Sequence, residues 1–139
     1  MSSLKTTVTG YAGYRGREGQ LSFLLHRVTG LGTLLFLAIH ILDTATVYFI
    51  PSLYEEAIAL YRTTLFGLGE LALVFCLIFH GVNGLRIAYL DMFRPKGWEI
   101  QRQRSGVRMT LLISVLLWLP AAGVMLYNLA YHNFGMFGG

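Results

Sequence analysis

A chain of 139 residues has room for one small domain, but 55% hydrophobic and 13% charged content, with a mean hydropathy of +0.56, excludes a water-facing globular core. The net charge of +4 is gathered at the ends of apolar runs, so it reports membrane topology and calls for no nucleic-acid partner. The expected fold is all-α: three transmembrane helices in a single membrane-anchor domain over residues 1–139.

In chain order, residues 1–20 are too polar and glycine-containing for a signal peptide and read as a cytoplasmic tail. The apolar stretch from Val28 to Leu42 is short of the roughly 20 residues that a crossing takes, and it extends to a first span over 21–50 once Asp43 is admitted. In the outer loop, 51–62, Pro51 stops that helix, and Ser52 three residues before Glu55 predicts a capping box opening a short interfacial helix that ends near Arg62. The stretch from Leu71 to Leu85 extends through Glu70 into a second span over 63–91. The basic loop 92–108 combines Arg94, Pro95, Lys96, Gly97 and Trp98 with Arg102, Arg104 and Arg108, a cluster that suits lipid headgroups or the docking of a soluble partner. From Met109 to Gly139 only His132 interrupts an uncharged run, giving a third span over 109–132, with Pro120 as a kink satisfied by packing neighbours, and an outer tail over 133–139. Lys5, Arg15, Arg17 and Arg27 at the first helix and the six cations from Arg86 to Arg108 lie on one side, against Arg62 alone on the other. The amino terminus is therefore expected inside the cytoplasmic membrane and the carboxyl terminus outside.

An ionisable group inside a span is costly and faces a protein interior, a cavity or a cofactor. The first span holds His26, Arg27, His40 and Asp43, and the second Glu70, His80, Asn83, Arg86 and Asp91. Three helices cannot hide all of these, so a buried cofactor or a second subunit is implied. His80 stands beside Gly81, with Asn83 and Gly84 on its face and Arg86 six residues on. One reading has a flat macrocycle beside the glycine, imidazole ligating haem iron and Arg86 reaching a propionate; the other has close helix packing with His80 hydrogen-bonded across the interface. His40 lies thirteen residues beyond Arg27, about 20 Å along the helix, whereas His80 is about 9 Å below the same surface. The two cannot grip one iron, and His40 serves either a second haem or a local hydrogen bond to Asp43 or the loop backbone. Cys76 has no disulfide partner, no Cys-x-x-Cys-His occurs for covalent haem attachment, and its expected role is packing in the second helix.

The run Ser22, Phe23, Leu24, Leu25, His26, Arg27, Val28, Thr29, Gly30 resembles the His-Arg-x-Thr/Ser-Gly signature opening the first membrane helix of the cytochrome b subunit of succinate dehydrogenase. His80, Gly84, Arg86 and Asp91 are similar in spacing to that family's His-x3-Gly-x-Arg-x4-Asp element, and with the three-span layout the likeness covers nearly the whole chain. The resemblance implies a haem b-binding membrane anchor of respiratory complex II. Its partners are a second anchor subunit, an iron-sulfur subunit, a flavoprotein subunit, quinone and membrane lipids. Succinate is then oxidised elsewhere, and this chain lines the quinone site. By the family's pattern His80 is the haem iron ligand, its axial partner comes from the second anchor, His26 and Arg86 lie near the propionates, and Arg27 lies at the quinone site. The quinone-contacting serine of the pattern stands three residues before the histidine. Phe23 has that place here, and Ser22, four before and turned by about 100° around the helix, is the serine carried as the candidate quinone contact. His40 resembles the outer-haem histidine of two-haem relatives, so one haem or two are expected, with menaquinone or ubiquinone as the quinone; a second haem would favour menaquinone. A fumarate reductase anchor with reversed electron flow, and a haem-free packing or assembly protein, are the competing readings. No inverted repeat or pair of broken helices suggests a transporter.

Overall fold

The computed structural model describes residues 18–94 and 100–136, with no side-chain detail for 100–103. Most of the amino-terminal tail, with Lys5, Arg15 and Arg17, the loop residues Pro95, Lys96, Gly97 and Trp98, and residues 137–139 lie outside the described residues. Within them the chain is all helical: α1 (Glu18–Phe49), α2 (Pro51–Tyr61), α3 (Thr64–Phe93) and α4 (Ile100–Phe134). At 1.5 Å per residue α1, α3 and α4 run for about 48, 45 and 52 Å, each longer than the roughly 30 Å of a hydrocarbon core. Their apolar windows reach hydropathies of 1.6, 2.0 and 2.1, and the chain is a multi-pass integral membrane protein.

The central helix is α3, packed along α1 on one side and α4 on the other, antiparallel to both. Both ends of the bundle are pinned by polar contacts. At the basic end, Glu18 opening α1 receives Arg108 at 2.5 Å and Arg104 at 3.6 Å from α4. At the opposite end, Asn133 of α4 donates to the Arg62 carbonyl and to Thr64 Oγ1, both at 3.0 Å. Midway, the Trp118 indole donates to the Leu71 carbonyl at 3.1 Å. The interior is small and hydroxyl-rich. Of the eight buried residues described, Phe79, Val107 and Ala122 are apolar, whereas Ser22, Thr29, Asn83, Thr110 and Ser114 are polar. This inverts a soluble core, because lipid offers leucine as good a solvent as protein does and small residues let the helices approach. Leu31, Leu42 and Leu85 accordingly face outward, about 70% exposed. Two of the buried hydroxyls bond their own helix, Thr29 to the Leu25 carbonyl at 2.6 Å and Ser114 to the Thr110 carbonyl at 2.7 Å, so each is satisfied without a partner helix.

Two boundaries differ from expectation. The interfacial helix opens with Ile50 as N-cap and Pro51 in the first turn, without a side-chain cap, so the capping box of Ser52 and Glu55 does not form. Proline supplies the fixed φ that starts a helix, and a shift of two residues, from Ser52 to Ile50, removes Ser52 from the capping position. The last helix begins at Ile100, nine residues before the apolar run, because its arginine- and glutamine-rich start is made of good helix formers that lie beyond the hydrocarbon.

Candidate functional site

The inward face of α1 carries Ser22, His26, Thr29 and Gly30, and α3 presents His80, Asn83 and Gly84 to it. Antiparallel packing sets these groups in reciprocal register. A Cβ on Gly30 would stand 2.9 Å from His80 Cε1, and one on Gly84 would stand 3.7 Å from His26 Cε1, so each imidazole lies over the glycine of the opposite helix. The rings themselves stack, with centroids 4.2 Å apart and planes 8° from parallel. The His26 backbone carbonyl accepts a bond from His80 Nδ1 at 3.1 Å. A carbonyl cannot donate, so Nδ1 bears a proton, and in the neutral ring the lone pair is then on the second nitrogen, Nε2. His80 is thereby a fixed imidazole with a free basic nitrogen, the form in which histidine ligates a metal. His26 Nδ1 is buried with no hydrogen-bond partner among the described residues, an arrangement that suits a partner supplied from outside the chain. A Cβ on Gly81 would meet nothing within 4 Å, so the flank of α3 next to His80 has room for a bulky group.

Towards the basic end the same seam becomes a hydrogen-bonded knot. Asn83 is 1% exposed, and its Oδ1 accepts from Ser22 Oγ at 3.2 Å and from Arg86 Nη1 at 2.9 Å, while Arg86 also reaches Ser22 Oγ at 3.5 Å. α4 makes room for the guanidinium through Gly106, whose Cβ would lie 3.1 Å from Arg86 Nε. Ser22, His26, His80 and Arg86 are thus brought together along one seam, in which Asn83 links Ser22 to Arg86.

Arg27 is not part of that knot. It lies on an exposed face of α1, its Cζ 4.2 Å above the Phe23 ring. His40 is ten residues beyond Gly30, about 15 Å along the helix, and stacks on Phe36 with centroids 5.7 Å apart. The expected bond from His40 to Asp43 is not made among the described residues. The Asp43 carboxylate instead takes the Tyr61 hydroxyl of α2. That bond, followed by burial, pushes the Tyr61 phenol up to about 12. His40, Asp43, Tyr61, Glu70, Phe36 and Phe66 line a cavity of about 690 Å³ at this end. His132 ends α4 edge-on to Tyr131, and Cys76 packs against Gly32, as expected of a packing residue. The described residues hold no group of three or more metal-ligating side chains.

Gly30 under His80, Asn83 as the shared acceptor and Phe23 beneath Arg27 were not singled out as site residues from the sequence. The available signal was the equal spacing of His26 to Gly30 and His80 to Gly84, which in antiparallel helices brings each histidine over a glycine. Residues 11–121 match the model of the succinate dehydrogenase/fumarate reductase transmembrane subunit family. The chain is 35% identical over 112 residues to the succinate dehydrogenase 2 membrane subunit SdhC of Mycobacterium tuberculosis (strain ATCC 25618 / H37Rv), an alignment covering 81% of this chain and 80% of the relative. With both signatures inside the matched region and three spans around them, the chain belongs to the succinate dehydrogenase/fumarate reductase transmembrane subunit family.

Proposed function

We propose that this chain is the haem b-binding anchor of a succinate:quinone oxidoreductase, lining a quinone-reduction site at its basic end and docking the iron-sulfur and flavoprotein subunits there. The observation that carries the reading is His80, held over Gly30 with Nδ1 committed to the His26 carbonyl and Nε2 free. The residues present fit a haem: a fixed imidazole nitrogen, the Nδ1 of His26 with no partner among the described residues, the open flank at Gly81 and the Arg86 cation within two turns. When bound, the haem supplies a one-electron carrier beside the quinone site. His80 orients through its bond to α1, and His26 and Arg86 are suited to hold propionates. The relative from Mycobacterium is named for succinate dehydrogenase, which favours succinate oxidation over fumarate reduction as the physiological direction.

At the quinone, a fixed guanidinium placed where a carbonyl oxygen becomes negative stabilises that charge as it develops, and this is the role of Arg27. Ser22 acts differently from the family pattern. Its single proton points to Asn83, so it holds Arg86 and does not donate to quinone. His40, lining the cavity at the far end, is the ligand proposed for a second haem, with menaquinone rather than ubiquinone as substrate. A second anchor subunit would supply the remaining ligands. The deciding experiment is an optical spectrum and pyridine haemochrome assay of the purified assembly. A Soret band that His80→Ala abolishes or shifts supports the reading, and a colourless complex sinks it in favour of a haem-free packing protein. One haem per complex rejects His40 as a ligand.

A further inference from the structure

Phe23 and Arg27 are one turn apart on α1, and the structure gives them a relationship that sets this chain apart from the serine-bearing pattern. The guanidinium carbon of Arg27 stands 4.2 Å above the centre of the Phe23 ring, and Phe23 is itself 52% exposed. This pair lies on a different face from Ser22, which is 5% exposed and directs its proton to Asn83 Oδ1. The one hydroxyl near the start of α1 is therefore spent inside the bundle, and the wall that carries Arg27 offers an aromatic face beside a cation. An arginine at the end of a membrane helix is otherwise free to snorkel toward headgroups along several rotamers. A guanidinium lying over a ring face is held by the ring quadrupole while its in-plane N–H groups stay available for a carbonyl oxygen.

We propose that Phe23, at the place where the related pattern has its serine, is the positioning residue for Arg27 at the quinone site, holding the guanidinium by a cation–π contact. The proposal rests on the assignment of Arg27 to quinone. It predicts a dependence on the π face of residue 23 and not on its volume, because a leucine fills similar space without a quadrupole. Tyrosine and tryptophan keep the face. They therefore keep the function.

The test is quinone-reductase kinetics of the whole purified complex with a short-chain benzoquinone and a short-chain naphthoquinone, normalised to succinate oxidation with an artificial acceptor so that poorly assembled preparations are corrected for. Phe23→Leu and Phe23→Met are expected to raise the quinone KM about three- to tenfold, the range that an exposed to partly desolvated cation–π contact corresponds to. Phe23→Tyr and Phe23→Trp should stay within about twofold of the wild type. In an Arg27→Ala background, Phe23→Leu should add nothing, since its effect passes through the guanidinium. A wild-type KM in Phe23→Leu, an equal rise in the tyrosine variant, or a further loss in the double variant overturns the positioning role while leaving Arg27 at the site. If Arg27→Ala itself leaves quinone kinetics unchanged, the quinone-site assignment fails, and the role of Phe23 fails with it.

Discussion

Gly30→Ala is the smallest change that tests the seating of His80. The added methyl would stand 2.9 Å from His80 Cε1 and 3.3 Å from Nδ1, whereas non-bonded carbons settle at about 3.5–4.0 Å, so the ring has to retreat by roughly 0.6–1 Å. The ring is tied by a 3.1 Å bond to the His26 carbonyl, and a retreat of that size stretches it to roughly 3.7 Å or more, past the limit of a hydrogen bond. Overpacking of this kind costs about 1–3 kcal/mol, which at 1.4 kcal/mol per factor of ten weakens retention of a group ligated by His80 about five- to 150-fold. The assay is haem per assembled complex by pyridine haemochrome, with the reduced-minus-oxidised spectrum reporting the ligand field. Gly32→Ala is the matched control. Its methyl would meet Cys76 Sγ at 2.8 Å, in the same α1–α3 seam half a turn away, with no histidine in contact. The control is expected to lower assembly without shifting the spectrum, whereas Gly30→Ala lowers haem content or shifts its bands. Full haem with an unaltered spectrum in Gly30→Ala, or an equal spectral change in Gly32→Ala, would refute the reciprocal seating as the source of ligand orientation.

Other outcomes follow from the same geometry. Asn83→Leu leaves the Ser22 hydroxyl and one Arg86 N–H without their buried acceptor, a loss of about 1–3 kcal/mol visible as a lower thermal midpoint of the complex; an unchanged midpoint would mean that water or a partner replaces Asn83. Gly81→Ala, whose methyl meets nothing in this chain, should disturb haem content while leaving the thermal midpoint of haem-free protein unaltered, and the reverse pattern would place the haem elsewhere. Tyr61 titrates upward from 10.0 to about 12, so its bond to Asp43 stabilises α2 on α1 fully below pH 10 and loses that contribution as pH rises toward 12. The phenolate absorbance missing from Tyr61→Phe should accordingly develop near pH 12, and development near pH 10 would count against the bond.

The spans were legible because hydrocarbon imposes a length that uncharged runs reveal, and both signatures were legible because polar groups are rare within such runs. What the spacing withheld was register. Nothing local says that α1 and α3 align so that Gly30 faces His80 and Gly84 faces His26; a shift of one turn would preserve every motif and destroy the seating. The same gap explains Tyr61, which reaches Asp43 across the α1–α2 corner from eighteen residues away. It also explains why Asn83 read only as one more intramembrane polar residue. Ser22 shows how far a periodicity argument can go. Its 100° offset from the expected serine position left a quinone contact open, and only the neighbouring helix reveals that its hydroxyl meets the Asn83 amide and Arg86. A substitution at position 23 then cannot be judged from the motif alone, because the turn that removes a hydroxyl from one face of α1 delivers it to another, and the two faces serve different partners: the outward one Arg27, the inward one the cation that α1, α3 and α4 enclose together.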